Sequence, residues 1–285
     1  MRICRFGKDR LGLVEGHVVR DVTSVLDVLP AYRYPLPSVD PLIENLEWLR
    51  PRLLGAAKSA PAISLQDLEL LSPIANPGKI VAAPVNYKKH IDEARIDPGI
   101  HHQNQISDIQ RAGLFLKANS SVVGPSHGVI IRHAKRRNDH EVELAVVIGK
   151  AADHVSSENA LSHVAAYCIG LDMTARGPED RSLRKSANTY TVLGPWMVTA
   201  DEISDPSNLN LSLKVNGELR QSSNTRELIY GIQKLISWGS SFYTLMPGDV
   251  LLTGTPEGVG PVVPGDLIEA AIQDIGSMKV VVRAA

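Results

Sequence analysis

Two Pro-Gly-Asp triplets, beginning at Pro247 and Pro264, each turn the chain directly into an apolar run. Turn chemistry followed twice by strand chemistry predicts antiparallel sheet in the C-terminal third rather than a series of βαβ units. Other apolar runs read as strands at residues 80–83, 145–148, 168–172, 211–215, 250–253, 267–271 and 279–283. Helical spacing appears over 159–167 and in the stripe Leu228, Ile229, Ile232, Leu235 and Ile236. The expected class is α+β and strand-rich.

Length and composition narrow the function. At 285 residues the chain exceeds what one compact core easily closes, and Ser72, two prolines and Gly78 place a boundary near residue 75. A small domain over 1–75, with strands at 2–6, 10–15 and 17–21 and then a polar helical stretch, is expected to precede a catalytic domain over 76–285. The small domain holds only one histidine, His17, and scattered acids, and reads as scaffold. Lysine plus arginine number 30 against 31 acids, so no net field favours nucleic acid or an anionic membrane. The two cysteines, Cys4 and Cys168, have no zinc or disulfide spacing, and no run reaches the ~18 apolar residues of a membrane span. A cytoplasmic protein with a small-molecule partner is expected. Phosphate-loop, dinucleotide-fold, Gly-x-Ser-x-Gly and His-Glu-x-x-His patterns are all absent from the sequence.

Chemistry gathers around three acids. Glu141 and Glu143 flank Val142 at the start of a strongly apolar strand, where a period of two turns both carboxylates to one side. Asp172 ends the run Tyr167, Cys168, Ile169, Gly170, Leu171, and an acid at the tip of a buried strand needs a partner, a cation or a solvated edge. Three carboxylates without a neighbouring histidine or cysteine suit a hard cation: Mg2+ first, with Mn2+ or Ca2+ as alternatives.

The run 141–150 (Glu-Val-Glu-Leu-Ala-Val-Val-Ile-Gly-Lys), the segment 170–176 and the run 247–260 resemble, in the same order, the metal strand, second metal segment and most recognisable stretch of the fumarylacetoacetate hydrolase (FAH) family. The resemblance covers roughly residues 78–283. It implies a mixed β-sheet roll or barrel around a metal site, usually in a homodimer, with Glu141, Glu143 and Asp172 as ligands. His90 and Glu93 are similar to the family's His-x-x-Glu pattern; on a helix they share a face, so Glu93 can orient His90 as a water-activating base. The same resemblance makes 94–111 the place for a mobile lid, with His101 and His102 read as loop residues. Lys185 is similar to the family's active-site lysine, able to neutralise charge on an enolate. Arg176 and Thr255 correspond to substrate contacts, with Tyr87 and Lys117 as further candidates. The chain departs from the family at Gly177, Pro178, Glu179 and Asp180, where an acid, a spacer and a glutamine are common. Glu179 in the glutamine's place would disfavour a substrate carboxylate there.

The implied activity is metal-dependent hydrolysis of a carbon–carbon bond in an acylpyruvate-like 1,3-dioxo acid, a reaction of aromatic catabolism. Two alternatives use the same enolate without water: decarboxylation of an oxaloacetate-type 2-oxo diacid, or isomerisation of a dienol diacid. A catalytically silent ligand-binding homologue is the third reading.

Overall fold

A computed structural model describes residues 1–101 and 109–285. The chain runs through β1 (Arg2–Phe6), β2 (Arg10–Glu15), β3 (Val18–Asp21), α1 (Leu46–Ser59), β4 (Ala62–Ser64), β5 (Ile80–Ala82), α2 (Lys88–Ile96), β6 (Phe115–Lys117), β7 (Asn138–His140), β8 (Val142–Ile148) and β9 (Val164–Asp172). It continues through α3 (Arg181–Lys185), β10 (Thr191–Thr199), β11 (Asn210–Val215), β12 (Glu218–Asn224), α4 (Ile232–Ser240), β13 (Val250–Leu252), β14 (Leu267–Ile272) and β15 (Gly276–Ala284).

Among the described residues, a twelve-stranded sheet is ordered β4-β3-β2-β1-β10-β9-β8-β13-β5-β6, with Leu70–Leu71 beside β1 and Val122–Val123 beside β10. The N-terminal strands continue this sheet, because β1 pairs with β10 through Arg2 opposite Val198 and Ile3 opposite Met197. A five-stranded sheet runs β12-β11-β14-β15 and ends on Val129–Ile131, while β7 pairs with short strands at Thr174–Ala175 and Gly260–Pro261. The fold is α+β and strand-rich, as expected.

β8 is buried along its whole length because its two faces serve two cores. Val142, Leu144, Val146 and Ile148 pack with Tyr167, Ile169 and Leu171 of β9 and with Ile232 and Leu235 of α4. Ala145 and Val147 instead join Ala166 and Cys168 of β9 and Leu49 and Leu53 of α1. From Leu144 to Ile148 alternate side chains therefore point into different cores, and that stretch carries no polar face.

Both Pro-Gly-Asp turns are built alike. Asp249 accepts the backbone N–H of Met246 at 2.7 Å and Asp266 that of Val263 at 2.8 Å, while Gly248 and Gly265 take φ of +92° and +103°. The second leads into the antiparallel β14-β15 pair. The first leads into β13, antiparallel to β8 but parallel to β5 on its other side, so the C-terminal third is not purely antiparallel.

Three further expectations are corrected. The helix expected over 159–167 is only a 3-10 turn, Ala160–His163, after which β9 begins at Val164. The long ladders of β9 with β8 and β10 override a helical spacing of so few residues. The stripe from Leu228 is helical only from Ile232, since Leu228 forms a β-bridge with Tyr87. His101 ends a short helix, Pro98–His101, rather than lying in a loop, and His102 falls outside the described residues, as does the middle of the expected lid.

Candidate active site

The antiparallel register of β8 and β9 assembles the acids. Glu143 lies opposite Gly170, and the N–H of Asp172 donates to the carbonyl of Glu141 at 2.9 Å. One face of this strand pair is apolar at one end, with Ala145, Val147, Ala166 and Cys168 in a core, and acidic at the other, with Glu141, Glu143 and Asp172. Gly170 lies between the two ends: a Cβ there would sit 2.7 Å from Leu252 Cδ2, so the floor beside the acids admits no side chain.

One oxygen from each of the three buried carboxylates lies within 4.8 Å of the others. Cations surround two of the three acids. Lys185 Nζ donates to Glu141 Oε2 and Asp172 Oδ2, both at 2.7 Å. Arg176 donates to Glu141 Oε1 at 3.1 Å and through Nε to Asp139 Oδ2 at 2.7 Å, and Thr174 Oγ1 adds a bond to Glu141 at 2.9 Å. Lys117 Nζ pairs with Asp172 and donates to the carbonyl of Tyr190 at 3.0 Å. Arg137 links Asp139 at 2.8 Å to Asp97 at 2.9 Å. Acid and base thus alternate along one string: Asp97, Arg137, Asp139, Arg176, Glu141, Lys185, Asp172, Lys117.

Glu143 stands apart from these cations. Among the described residues its one hydrogen bond accepts the N–H of Gly254 at 2.7 Å. That donor is presented by a loop with φ of +98° at Gly254, where a Cβ would meet Asn86 Cβ at 2.7 Å. Thr253 and Thr255 fasten the loop to β8 by donating to the carbonyls of Leu144 at 3.0 Å and Val142 at 2.9 Å. The two glutamates therefore titrate in opposite directions. Burial raises both, but beside Glu141 the charges of Lys185 and Arg176 win and hold it at about 2. Burial, then the charge of Asp172, pushes Glu143 well above the ordinary carboxylate range. Three oxygen-donor side chains, one of them a buried acid facing other acids with a single N–H for support, fit a hard divalent cation.

Above the acids stands α2. His90 is buried, its Nδ1 2.8 Å from Glu93 Oε2, and Glu93 Oε1 accepts the N–H of Gly258 at 2.9 Å. With Nδ1–H donated to Glu93, Nε2 is left as the base, a tautomer assigned from these bonds. His90, the three acids, Arg176 and Lys185 line one cavity that Thr255 also borders.

The structure thus gathers His90, Glu93, Glu141, Glu143, Asp172, Arg176, Lys185 and Thr255, although the Thr255 hydroxyl is engaged with Val142 and with Gln221, which donates to it at 2.8 Å. Two candidates lie elsewhere. Glu179 forms a two-pronged pair with Arg136, at 3.0 Å to Nη1 and 2.5 Å to Nη2, and lines a neighbouring pocket with Arg136 rather than the cavity of the acids. Tyr87 is buried outside the lining, its hydroxyl without a hydrogen-bond partner among the described residues. Burial, then the charge of Glu143, raises its phenol. Lys117, only a further candidate from sequence, ends the string at Asp172 without lining the cavity. Asp139, Arg137 and Thr174 went unread. The available signal was four consecutive polar residues, 138–141, directly before an apolar strand and all buried.

Residues 79–283 match the fumarylacetoacetate (FAA) hydrolase C-terminal family. A maleylpyruvate hydrolase of Aquipseudomonas alcaligenes is 56% identical over 286 residues, covering 100% of both chains. The mitochondrial oxaloacetate tautomerase Fahd2a of Rattus norvegicus is 38% identical over 77% of this chain and 71% of its own. Among solved structures, maleylpyruvate hydrolase from Sphingobium sp. SYK-6, in complex with manganese(II) and pyruvate, superimposes with a TM-score of 0.84 at 38% identity, covering 100% of each chain. With its matched segment spanning the acid cluster, the His90–Glu93 pair and the loop that fastens Glu143, the chain belongs to the fumarylacetoacetate hydrolase family.

Proposed function

We propose that this chain is an enzyme that hydrolyses a carbon–carbon bond of an acylpyruvate-like 1,3-dioxo acid, the class that includes the maleylpyruvate of its Aquipseudomonas relative. One observation carries the reading: a hard-cation acid cluster and an oriented histidine base border the same cavity, with an ammonium group between two of the acids. When bound, a divalent cation supplies a Lewis acid for the oxygens of a 2-oxo acid; Mg2+ is the proposed ion, with the Mn2+ of the Sphingobium structure or Ca2+ as alternatives.

Glu141, Glu143 and Asp172 hold the ion, and Lys117 and Lys185 fix Asp172 from two sides. His90, kept in one orientation by Glu93 and through it by Gly258, takes a proton from water at Nε2. The hydroxide adds to the distal carbonyl, and the bond between that carbon and the pyruvyl methylene breaks. The electron pair passes to the pyruvyl fragment as an enolate, which Lys185 stabilises. Protonation of the enolate carbon leaves pyruvate and a free carboxylic acid. Arg176 orients Glu141 from its seat on Asp139.

A homodimer, a cytoplasmic setting and a place in aromatic catabolism complete the proposal. The cytoplasm is supported by two buried free cysteines, and among the described residues no helix is long and apolar enough to cross a membrane. The oxaloacetate tautomerase relative favours one second reading, enol–keto chemistry on a 2-oxo diacid, which needs the enolate-stabilising groups but no activated water. Purified protein incubated with maleylpyruvate, acetylpyruvate and oxaloacetate, with magnesium or chelator, separates the readings by mass spectrometry. Metal-dependent pyruvate plus the matching free acid is expected from the dioxo acids. Survival of every dioxo acid while oxaloacetate tautomerises or decarboxylates would overturn hydrolysis.

A further inference from the structure

α3 carries three cations in five residues, and only one of them meets a carboxylate. Lys185 engages Glu141 and Asp172. Arg184 reaches only main-chain carbonyls, that of Glu179 at 2.7 Å from Nε and that of Ala175 at 3.5 Å from Nη1. Arg181 makes neither a hydrogen bond nor an ion pair among the described residues; its guanidinium rests 5.9 Å from the centre of the Phe115 ring. Both arginines are partly buried, and both line the cavity that holds the acids and His90. Burial lowers both guanidinium groups, against the opposing pull of Asp180 and Glu141. A guanidinium stays charged at any ordinary pH, so a partly dried one without an anion is a site prepared for one.

The charge balance points the same way. The string of four acids and four bases is balanced and Glu143 adds one further acid, so a bound dication together with Arg181 and Arg184 would leave the cavity positive. One substrate carboxylate, next to the 2-oxo group, belongs at the acid cluster. We infer that Arg181, backed by Arg184, receives a second carboxylate at the far end of the substrate, which makes this enzyme selective for dianionic acylpyruvates over monoanionic ones. The inference rests on the acylpyruvate reading and adds the residues that set its substrate class. Arg–carboxylate pairing is two-pronged and charge-assisted, which suits a planar terminal carboxylate.

The test uses two seven-carbon 2-oxo acids that cannot be hydrolysed, 2-oxoheptanedioate and 2-oxoheptanoate, titrated calorimetrically into the manganese-loaded enzyme, alongside kcat/KM for maleylpyruvate and acetylpyruvate. In wild type the diacid binds more tightly. In Arg181→Ala that advantage falls by about 10- to 100-fold, the scale of hydrogen bonds to a charged group, and the maleylpyruvate-to-acetylpyruvate ratio of kcat/KM falls alongside it. Arg181→Lys, which keeps the charge but not the fork, restores part of it, and a manganese titration of each variant checks that the acid cluster is intact. A wild type without diacid preference, or a preference that survives in both Arg181→Ala and Arg184→Ala, overturns the inference even if dioxo acids are cleaved. A preference that depends on Arg181 in an enzyme that cleaves nothing upholds it while the hydrolase reading falls.

Discussion

Glu141 and Glu143 are two residues apart at the start of β8, share a face and are both buried, yet their surroundings are opposite. Glu141 is held by Lys185, Arg176 and Thr174; Glu143 has one backbone N–H and faces two other acids. The difference teaches that the cluster is charge-matched on one flank and left wanting on the other. A dication bound there would relieve the repulsion at Glu143, with Glu141 and Asp172 already paired to their cations.

The contrast can be broken by substitution. The largest effect is expected at Glu143→Ala, where metal-dependent turnover should fall by at least ~10³-fold, about 4 kcal/mol of barrier; full activity in that variant would remove Glu143 from the metal site. Next comes Glu141→Gln. It strips a buried partner from both Lys185 and Arg176, so the metal-free protein should lose about 3 kcal/mol of stability in a denaturant titration. An unchanged midpoint would show that Glu141 is not the keystone of the ion pairs. The smallest effect has the reverse sign: Glu143→Gln removes an unsupported charge and should stabilise the metal-free protein by about 1 kcal/mol at neutral pH.

This last gain carries its own pH signature. Glu143 has a raised folded pKa, so in chelator the folded state binds more protons than the unfolded one once the pH passes the ordinary carboxylate value of 4.5. Wild-type stability then falls relative to Glu143→Gln as pH rises through that window toward the raised value, and the gap closes on acidification below it. Glu141, lowered to about 2, works the other way, its contribution being lost as pH falls from 4.5 toward 2. A gap between wild type and Glu143→Gln that is flat across pH 4 to 8 would show that Glu143 is not the strained partner.

Which features could be read from sequence follows from how local they are. The shared face of Glu141 and Glu143 needs only the period of a strand, and the turn at Asp249 only three adjacent residues. His90 and Glu93 needed only helical spacing and a resemblance. Lys117 was legible only faintly, because its significance lies in two contacts, Asp172 and the Tyr190 carbonyl, that are distant in the chain. Asp139 and Arg137 form a link between helix and sheet that no spacing rule describes. Glu179 failed for a related reason: its partner Arg136 is 43 positions away. Only the first part of the strand at 164–172 was hidden: residues 168–172 read as a strand, while the positions up to 167 fit a helix equally well until two neighbouring strands claim them.

The alternating string from Asp97 to Lys117 has a consequence for how such an enzyme can change over time. Each internal member is neutralised by its neighbours, so a single replacement strands a buried charge and fails before any compensating change can arrive. Arg181 and Arg184 lie outside the string, and neither guanidinium pairs directly with a carboxylate among the described residues. Variation is therefore free to act on the far wall of the cavity while the string stays as it is, and lineages with different substrates can share one unaltered catalytic floor.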